Sequence, residues 1–119
     1  RNLTRLELAR ELGATDIIDA NTTNAQEAII ALTGSGVDYA IDTTAIPQVL
    51  RSAVDSTHTM GETAVVGGAK LGTEFSLDMN NMLFGRKLRG VVEGSSTPQV
   101  FIPELIAMHE AGLFPFERL

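Results

Sequence analysis

The sequence predicts an α/β fold built on a parallel sheet. Apolar runs bounded by turn residues predict strands at 37–42, 62–68 and 87–92. Segments with helical spacing lie between these runs, a pattern typical of right-handed crossovers between parallel strands. A chain of 119 residues with no internal repeat and no interior linker is expected to form one compact unit.

The remaining elements are predicted from helical spacing and from helix-end residues. Helices are predicted at 3–12, 25–32, 47–54, 78–84 and 98–108, and a short strand is predicted at 16–19. Side chains at 22–24 suit the start of the second helix. Prolines suit the first turns of two helices and glycines the ends of three, namely Pro47, Pro98, Gly13, Gly34 and Gly112.

The strand at 62–68 ends in two glycines. Ala64, Val65 and Val66 form a continuous apolar run, as in parallel strands that are covered on both faces. Gly67 and Gly68 then leave bare main chain at the carboxyl end of the strand. Ligands of open α/β sheets bind at this end, so the glycines are candidates for cofactor contact. A flexible turn after a strand is the alternative interpretation.

Composition and charge exclude several classes of protein. The net charge is −6 and the nine basic residues form no run, which argues against nucleic-acid binding. The apolar runs are far shorter than the roughly 18 residues that a membrane helix needs. The absence of cysteine excludes disulfides and thiolate-held metal. We expect a cytoplasmic protein that binds neither nucleic acid nor membrane.

No group of side chains predicts catalysis or metal binding by this chain itself. Gly34-Ser35-Gly36 lies between a helix and a strand, the reverse of the dinucleotide fingerprint, and is interpreted as a helix end and turn. His58 and His109 have no metal-like spacing. Asp42 is the one acid at a suggestive position, the carboxyl end of a predicted strand. A helix-capping role or a surface charge is the alternative for Asp42.

Several segments resemble the cofactor domain of zinc-containing, medium-chain alcohol dehydrogenases. The segments that match the family in general are 6–15 (LELARELGAT), 37–40 (VDYA) and 65–67 (VVG). Those that look most like aryl-alcohol (benzyl-alcohol) dehydrogenases are 41–44 (IDTT), 90–95 (GVVEGS) and 101–116. The resemblance covers nearly the whole chain. It implies a partial Rossmann fold, a doubly wound parallel sheet that lacks its first two strands and the glycine-rich loop.

The resemblance implies NAD or NADP as cofactor, with contacts on the adenosine side at three residues. Arg5 matches a basic residue that reaches the adenosine ribose. Thr43 and Thr44 match a loop beside the adenosine and nicotinamide riboses. The alternative for Arg5 is a solvated charge on a helix face, and the alternative for the two threonines is N-capping of the next helix. The position that separates NAD from NADP lies before Arg1.

On the nicotinamide side, the resemblance implies contacts at five residues. Val66, Gly67 and Gly68 match the strand end that lies against the nicotinamide ring and its ribose. Val91 and Val92 match the segment whose main chain bonds the carboxamide. The alternative for the valines is ordinary sheet core.

The resemblance also implies which parts of the family residues 1–119 do not contain. The phosphate loop, the first two strands and the zinc-bearing catalytic domain have no counterpart, and the lack of cysteine agrees with this. We therefore expect the chain alone to be inactive and to bind NAD or NADP weakly or not at all. In the family's strand order, 3-2-1-4-5-6, the missing strands separate 16–19 from 37–42. The exposed edges predict rearrangement, association, or origin in a larger ordered chain.

The function predicted from this resemblance is a share in oxidising alcohols to aldehydes. The whole enzyme would use zinc and transfer a hydride from an aryl or benzyl alcohol to NAD(P). The segment 75–89 matches the family's dimer seam, which predicts a homo-oligomer.

Two alternative functions are possible for this chain. One is a stand-alone nucleotide-binding or regulatory module, which would bind its nucleotide tightly. The other is a zinc-free quinone reductase, whose catalytic half lacks the zinc ligands.

Overall fold

The computed structural model describes residues 3–119, in which helices accompany a three-stranded parallel sheet of order β1-β2-β3. In chain order the elements are α1 (Leu3–Glu11), α2 (Ala25–Thr33), β1 (Val37–Asp42), α3 (Pro47–Asp55), β2 (Thr57–Val65), α4 (Met79–Leu83), β3 (Lys87–Gly90) and α5 (Pro98–Glu110), with 3-10 turns at Glu93–Ser95 and Phe116–Arg118. The predicted α/β class with a parallel sheet is confirmed.

Residues with local capping chemistry set the helix ends. Asn24 accepts hydrogen bonds from the backbone N–H groups of Gln26 and Glu27 at 3.1 and 3.3 Å, which begins α2. Asp78 caps α4 in the same way. Gly13 follows α1 with a φ of 112°, a conformation that costs glycine little. The predicted helices are confirmed. They could be predicted from the sequence because each of these capping signals lies within a few neighbouring residues.

A bulge makes β2 longer than predicted at its start. Val37 lies opposite Thr57, whereas Tyr39 lies opposite Glu62, so β2 uses more residues than β1 between these two pairs. β2 therefore begins at Thr57 and not at Glu62. Within the bulge, Met60 has a φ of 73°.

The predicted strand at 16–19 is wrong. This segment has no regular secondary structure, and Asp19 instead organises a turn. The backbone N–H groups of Thr22 and Thr23 each donate to the Asp19 carbonyl at 3.1 Å, and that of Asn21 donates to its carboxylate at 2.9 Å. A strand needs a neighbour for its hydrogen bonds, and none of the strands in residues 3–119 pairs with this segment. The outer edge of β1 pairs with no other described segment. The predicted rearrangement of the chain therefore does not cover this edge.

Helix α3 covers one face of the sheet, and the other face is open among the described residues. Leu50 and Val54 of α3 are 7% and 1% exposed, and α3 contacts both β1 and β2. On the opposite face of β1, Tyr39 and Ile41 are 77% and 70% exposed. The expectation of a strand covered on both faces is wrong for the part of the chain described, where Ala64 is only half-buried.

A polar network holds the segment that carries α4 against α3, at the amino ends of the strands. The Asp55 carboxylate accepts from Arg51 Nε at 2.5 Å and from Asn81 Nδ2 at 2.8 Å. Arg86 donates to Asn81 Oδ1 at 3.0 Å and to the Thr57 carbonyl at 2.9 Å. The network therefore anchors this segment at the end of the sheet opposite to the strand ends described below.

His58, in the β2 bulge, forms a pair with Asp38 on β1. Its Nε2 lies 2.7 Å from Asp38 Oδ1, and its Nδ1 contacts the Thr59 carbonyl. The hydrogen bond with Asp38, and next the contact with the Thr59 carbonyl, raise the pKa of His58 above 6.5. His58 thus has a hydrogen-bonding partner on the neighbouring strand.

Gly36 precedes β1 and passes close to the start of β2, with a φ of 106°. An added Cβ would lie 2.6 Å from the Ser56 carbonyl oxygen. We expect Gly36→Ala to lower the free energy of unfolding by about 2–4 kcal/mol, because it combines left-handed strain with a backbone clash. Gly34→Ala, whose φ is 81° in open space, should cost only about 1–2 kcal/mol. Urea unfolding measures both, and equal losses would contradict the prediction.

The His58–Asp38 pair predicts a pH-dependent part of the stability. Because the folded-state pKa is raised above 6.5, the contact stabilises the fold fully below that pH and is lost as pH rises through the folded pKa. The stability difference between the wild type and Asp38→Asn should therefore be larger near about pH 5.5 than near about pH 9 in urea unfolding. Asp16→Asn, at an exposed acid outside the bulge, controls for loss of charge. A pH-independent difference would count against the pair.

Candidate functional site

The carboxyl ends of the three strands lie side by side and form the candidate site. Asp42 pairs with Val65, and Val65 pairs with Gly90. One residue further, the backbone N–H of Val91 donates to the Val65 carbonyl at 2.9 Å, although β3 ends at Gly90 and not at the predicted Val92. The turns after these strand ends bring together all the predicted cofactor residues except Arg5: Thr43, Thr44, Val66, Gly67, Gly68, Val91 and Val92.

Asp42 organises the turn after β1. Its side chain is 2% exposed, and its Oδ1 accepts from the Thr44 backbone N–H at 3.2 Å and from the Thr44 hydroxyl at 2.7 Å. The same hydroxyl accepts from the Ile46 backbone N–H at 3.1 Å. The surface-charge interpretation of Asp42 is therefore wrong. The N-cap of α3 is Ile46, which makes no side-chain cap, so neither threonine caps α3 in the ordinary way.

The main chain of Asp42 joins this turn to the end of β2. Its carbonyl accepts from the backbone N–H groups of Val66 and Gly67 at 2.9 and 3.1 Å, which ends the β2 ladder before the predicted Gly68. A Cβ on Gly67 would lie 2.6 Å from the Ala45 nitrogen and 2.8 Å from the Thr43 carbonyl carbon. Position 67 therefore needs glycine because the turn after β1 crosses it, and this packing role was not apparent from the sequence.

Gly68 has a different environment from Gly67. No atom lies within 4 Å of the place where its Cβ would be. Val66, two residues earlier, is 47% exposed, and Val92, in the turn after β3, is 81% exposed. Bare main chain and apolar side chains thus meet open space here, an arrangement able to receive the face of a flat ring.

Positive φ angles are concentrated in the turns at these strand ends. Of the four non-glycine residues with positive φ in the described chain, three lie here, namely Ala45 at 57°, Glu93 at 50° and Ser95 at 53°. Such conformations cost about 1–2 kcal/mol each for residues with a Cβ. Strain of this kind persists where surrounding contacts enforce it, and it is concentrated at ligand sites.

A hollow of about 280 Å³ lies beside the surface, under the start of α3. Its lining includes Asp42, Ile46, Leu50, Val65, Glu74 and Phe75. The second carboxylate oxygen of Asp42, Oδ2, has no hydrogen-bond partner among residues 3–119. Sequence reasoning did not find this hollow, because the segment 69–75 that closes it has no periodic pattern.

Arg5 lies on α1, outside the group of strand-end residues. It is exposed and lines a separate hollow of about 500 Å³ together with Leu8, Ala9, Leu12 and Leu119. None of the strand-end residues lines that hollow. The predicted contact between Arg5 and the adenosine ribose stays a prediction.

Metal ligands are not grouped in the part of the chain that the structure describes. No three His, Cys, Asp or Glu residues there could hold a metal ion together. His109 instead lies with its Nδ1 2.9 Å from the Phe114 carbonyl and its ring 4.3 Å from that of Phe116. The described residues therefore do not fit a zinc ion.

Among residues 3–119, each helix is too short or too polar to cross a bilayer.

Comparisons with known proteins identify the family. The model of the family described as zinc-binding dehydrogenase matches residues 1–110. The structure of benzyl alcohol dehydrogenase from Acinetobacter calcoaceticus superposes with a TM-score of 0.95 at 43% identity, over 99% of this chain and 33% of that one. An alcohol dehydrogenase zinc-binding domain protein from Burkholderia ambifaria gives 0.95 at 46% identity, over 99% and 32%. Geraniol dehydrogenase from Castellaniella defragrans is 37% identical over an alignment of 120 positions, which covers 99% of this chain and 32% of that protein.

These matches cover the chain almost completely, although the chain spans only about a third of the length of the relatives. The superposition with solved alcohol dehydrogenase structures confirms the predicted partial Rossmann-type fold. The chain therefore belongs to the zinc-binding dehydrogenase family, which confirms the resemblance to zinc-containing, medium-chain alcohol dehydrogenases.

Proposed function

We propose that these residues form the nicotinamide side of the cofactor domain in an NAD(P)-dependent alcohol dehydrogenase whose zinc domain lies outside them. The observation that carries the proposal is the open strand-end surface, where Gly68 offers bare main chain in open space and Val66 and Val92 have exposed side chains. A nicotinamide ring is flat and apolar on its faces, and its carboxamide needs main-chain partners. When bound, the cofactor accepts the hydride.

Each strand-end segment has a distinct part in this proposal. Val66 and Gly68 lie against the ring and its ribose, while Gly67 keeps the turn after β1 close by. Thr43 and Thr44 lie beside the riboses. The Val91 N–H already bonds Val65, and the Val92 carbonyl accepts from Ser95 at 2.8 Å. The carboxamide therefore bonds the Val91 carbonyl or the Val92 N–H, while Arg5 extends to the adenosine ribose.

The proposed substrates are primary alcohols whose hydroxyl-bearing carbon is attached to an unsaturated carbon. Benzyl alcohol and geraniol, after which two of the similar proteins are named, share this feature. Aryl alcohols such as benzyl alcohol are the first choice, with the aldehyde as product.

The 119 residues alone are proposed to be inactive and to bind NAD or NADP weakly. A cytoplasmic location stays a prediction.

Substitution of Gly68 tests the cofactor surface in the full-length enzyme. Gly68→Val places a branched side chain in open space, so we expect the melting temperature to hold while the KM for NAD or NADP rises about tenfold or more. Steady-state kinetics with benzyl alcohol and each dinucleotide measures the effect.

The full-length enzyme should oxidise cyclohexylmethanol, the saturated analogue, less efficiently than benzyl alcohol.

Gly67→Ala is the matched control for this experiment. Its Cβ clashes with the turn at 43–45, so it should lower the melting temperature, which Gly68→Val should not do. An enzyme that oxidises benzyl alcohol with neither dinucleotide would refute the function. An unchanged KM in Gly68→Val would remove Gly68 from the cofactor surface.

We also propose that the segment 75–89 forms an interface between two copies of the chain. Met79, Leu83 and Phe84 in this segment are 85%, 75% and 64% exposed, whereas Arg86 and Asn81 anchor the segment to Thr57 and Asp55. An anchored segment with several exposed apolar side chains is a common form of homodimer contact.

Introducing a charge at this segment tests the interface. Leu83→Asp should shift the full-length protein towards monomer in light scattering after gel filtration, because it buries an unpaired carboxylate in an apolar contact. Leu71→Asp, at a side chain that is 104% exposed and lies outside the segment, is the control and should leave the mass unchanged. The same mass for Leu83→Asp and wild type would contradict the interface.

A further inference from the structure

Asp42 lies where the two turns of the strand-end surface meet, yet it is itself buried. Its carboxylate oxygen Oδ1 receives two hydrogen bonds from Thr44, and its main-chain carbonyl receives the N–H groups of Val66 and Gly67. With 2% exposure, its side chain does not reach a ligand on the open surface. Any effect of its carboxylate on a ligand therefore passes through the residues that it holds.

The carboxylate is an unfavourable choice for packing alone. Burying a carboxylate is costly unless its oxygens are hydrogen-bonded, and within the described residues Oδ2 has no such partner. Apolar side chains of similar volume often stabilise a core as well or better. The carboxylate supplies one acceptor, Oδ1, for both the backbone N–H and the hydroxyl of Thr44. The hydroxyl oxygen lies 2.7 Å from Oδ1.

From Thr44 the constraint extends along the turn to the end of β2. The Thr44 hydroxyl accepts from Ile46, which fixes both ends of a turn whose middle residue, Ala45, has a positive φ. The Ala45 nitrogen in turn lies so close to Gly67 that only glycine fits there. The position of Thr44 thus determines how near the β1 turn approaches the main chain of Gly67 and Gly68.

We propose that Asp42 is a positioning residue for dinucleotide binding. Its Oδ1 holds Thr44, and through Thr44 it holds the turn at 43–46 at the separation from Val66–Gly68 that one cofactor can bridge. This inference rests on the proposed function of the strand-end surface. The role requires an acceptor at Oδ1 and requires no negative charge, so an amide in the same place fulfils it.

The test compares near-isosteric variants of the full-length enzyme. Asp42→Leu keeps the branching at Cγ but removes the acceptor, and its dissociation constant for NAD or NADP should rise about tenfold or more. Asp42→Asn keeps an acceptor oxygen and should stay within about threefold of the wild type. Calorimetry measures the dinucleotide affinity, and steady-state kinetics should show an unchanged KM for benzyl alcohol.

Thr44→Val extends the test to the partner of Asp42. It removes the hydroxyl, should weaken dinucleotide binding about fivefold or more, and should add little to Asp42→Leu in the double variant, because both changes break the same contact. Should Asp42→Leu fail to fold, the affinity of Thr44→Val decides. Ser56→Ala is the control, since it removes a buried hydroxyl bonded to Ser52 at 2.7 Å, before the amino end of β2.

The outcomes separate this inference from the function on which it rests. A wild-type enzyme that binds neither dinucleotide would overturn both. Tight binding by the wild type and equal binding by Asp42→Leu or Thr44→Val would overturn only the positioning role. An Asn variant that binds dinucleotide as weakly as the Leu variant would also overturn the positioning role. So would a lower dinucleotide affinity in Ser56→Ala that accompanies a lower melting temperature, because the loss of affinity would then follow from destabilisation elsewhere in the fold.

Discussion

The strand-end surface depends on one main-chain carbonyl, that of Asp42, which accepts hydrogen bonds from both Val66 and Gly67. Because one oxygen takes two successive N–H groups, the chain leaves the β2 ladder and turns towards the end of β1. That approach leaves no space for a side chain at position 67. The surface is therefore shaped by distances between main-chain segments, and the buried carboxylate of the same residue fixes one of those segments.

Local signals made much of the fold predictable from sequence. Asn24 and Asp78 cap their helices through neighbours two and three residues away, so their roles can be recognised without a tertiary structure. The segment 16–19 looked like a strand by composition, but a strand exists only through its partner. The early start of β2 at Thr57 was equally hidden, because the bulge at 58–61 arises from how β2 meets β1.

The candidate site was predictable in place but not in its inner organisation. Strands that end at Asp42 and Val65 put the following turns at one edge of the sheet, as the sequence pattern and the family resemblance both indicated. The contrast between Gly67, enclosed by the β1 turn, and Gly68, in open space, depends on atoms far apart in the chain. The burial of Asp42 likewise depends on α3 lying over it, which no local pattern encodes.

The open face of β1 bears on how molecules of this chain behave towards one another in solution. Tyr39 and Ile41 present apolar surface beside a strand edge that pairs with no other described segment, a combination that favours sticking between chains. The net charge of −6 opposes this by mutual repulsion. At physiological ionic strength, salt screens that repulsion beyond about 8 Å and leaves apolar attraction intact. Colloidal stability of the 119-residue chain is therefore a balance that ionic strength can reverse.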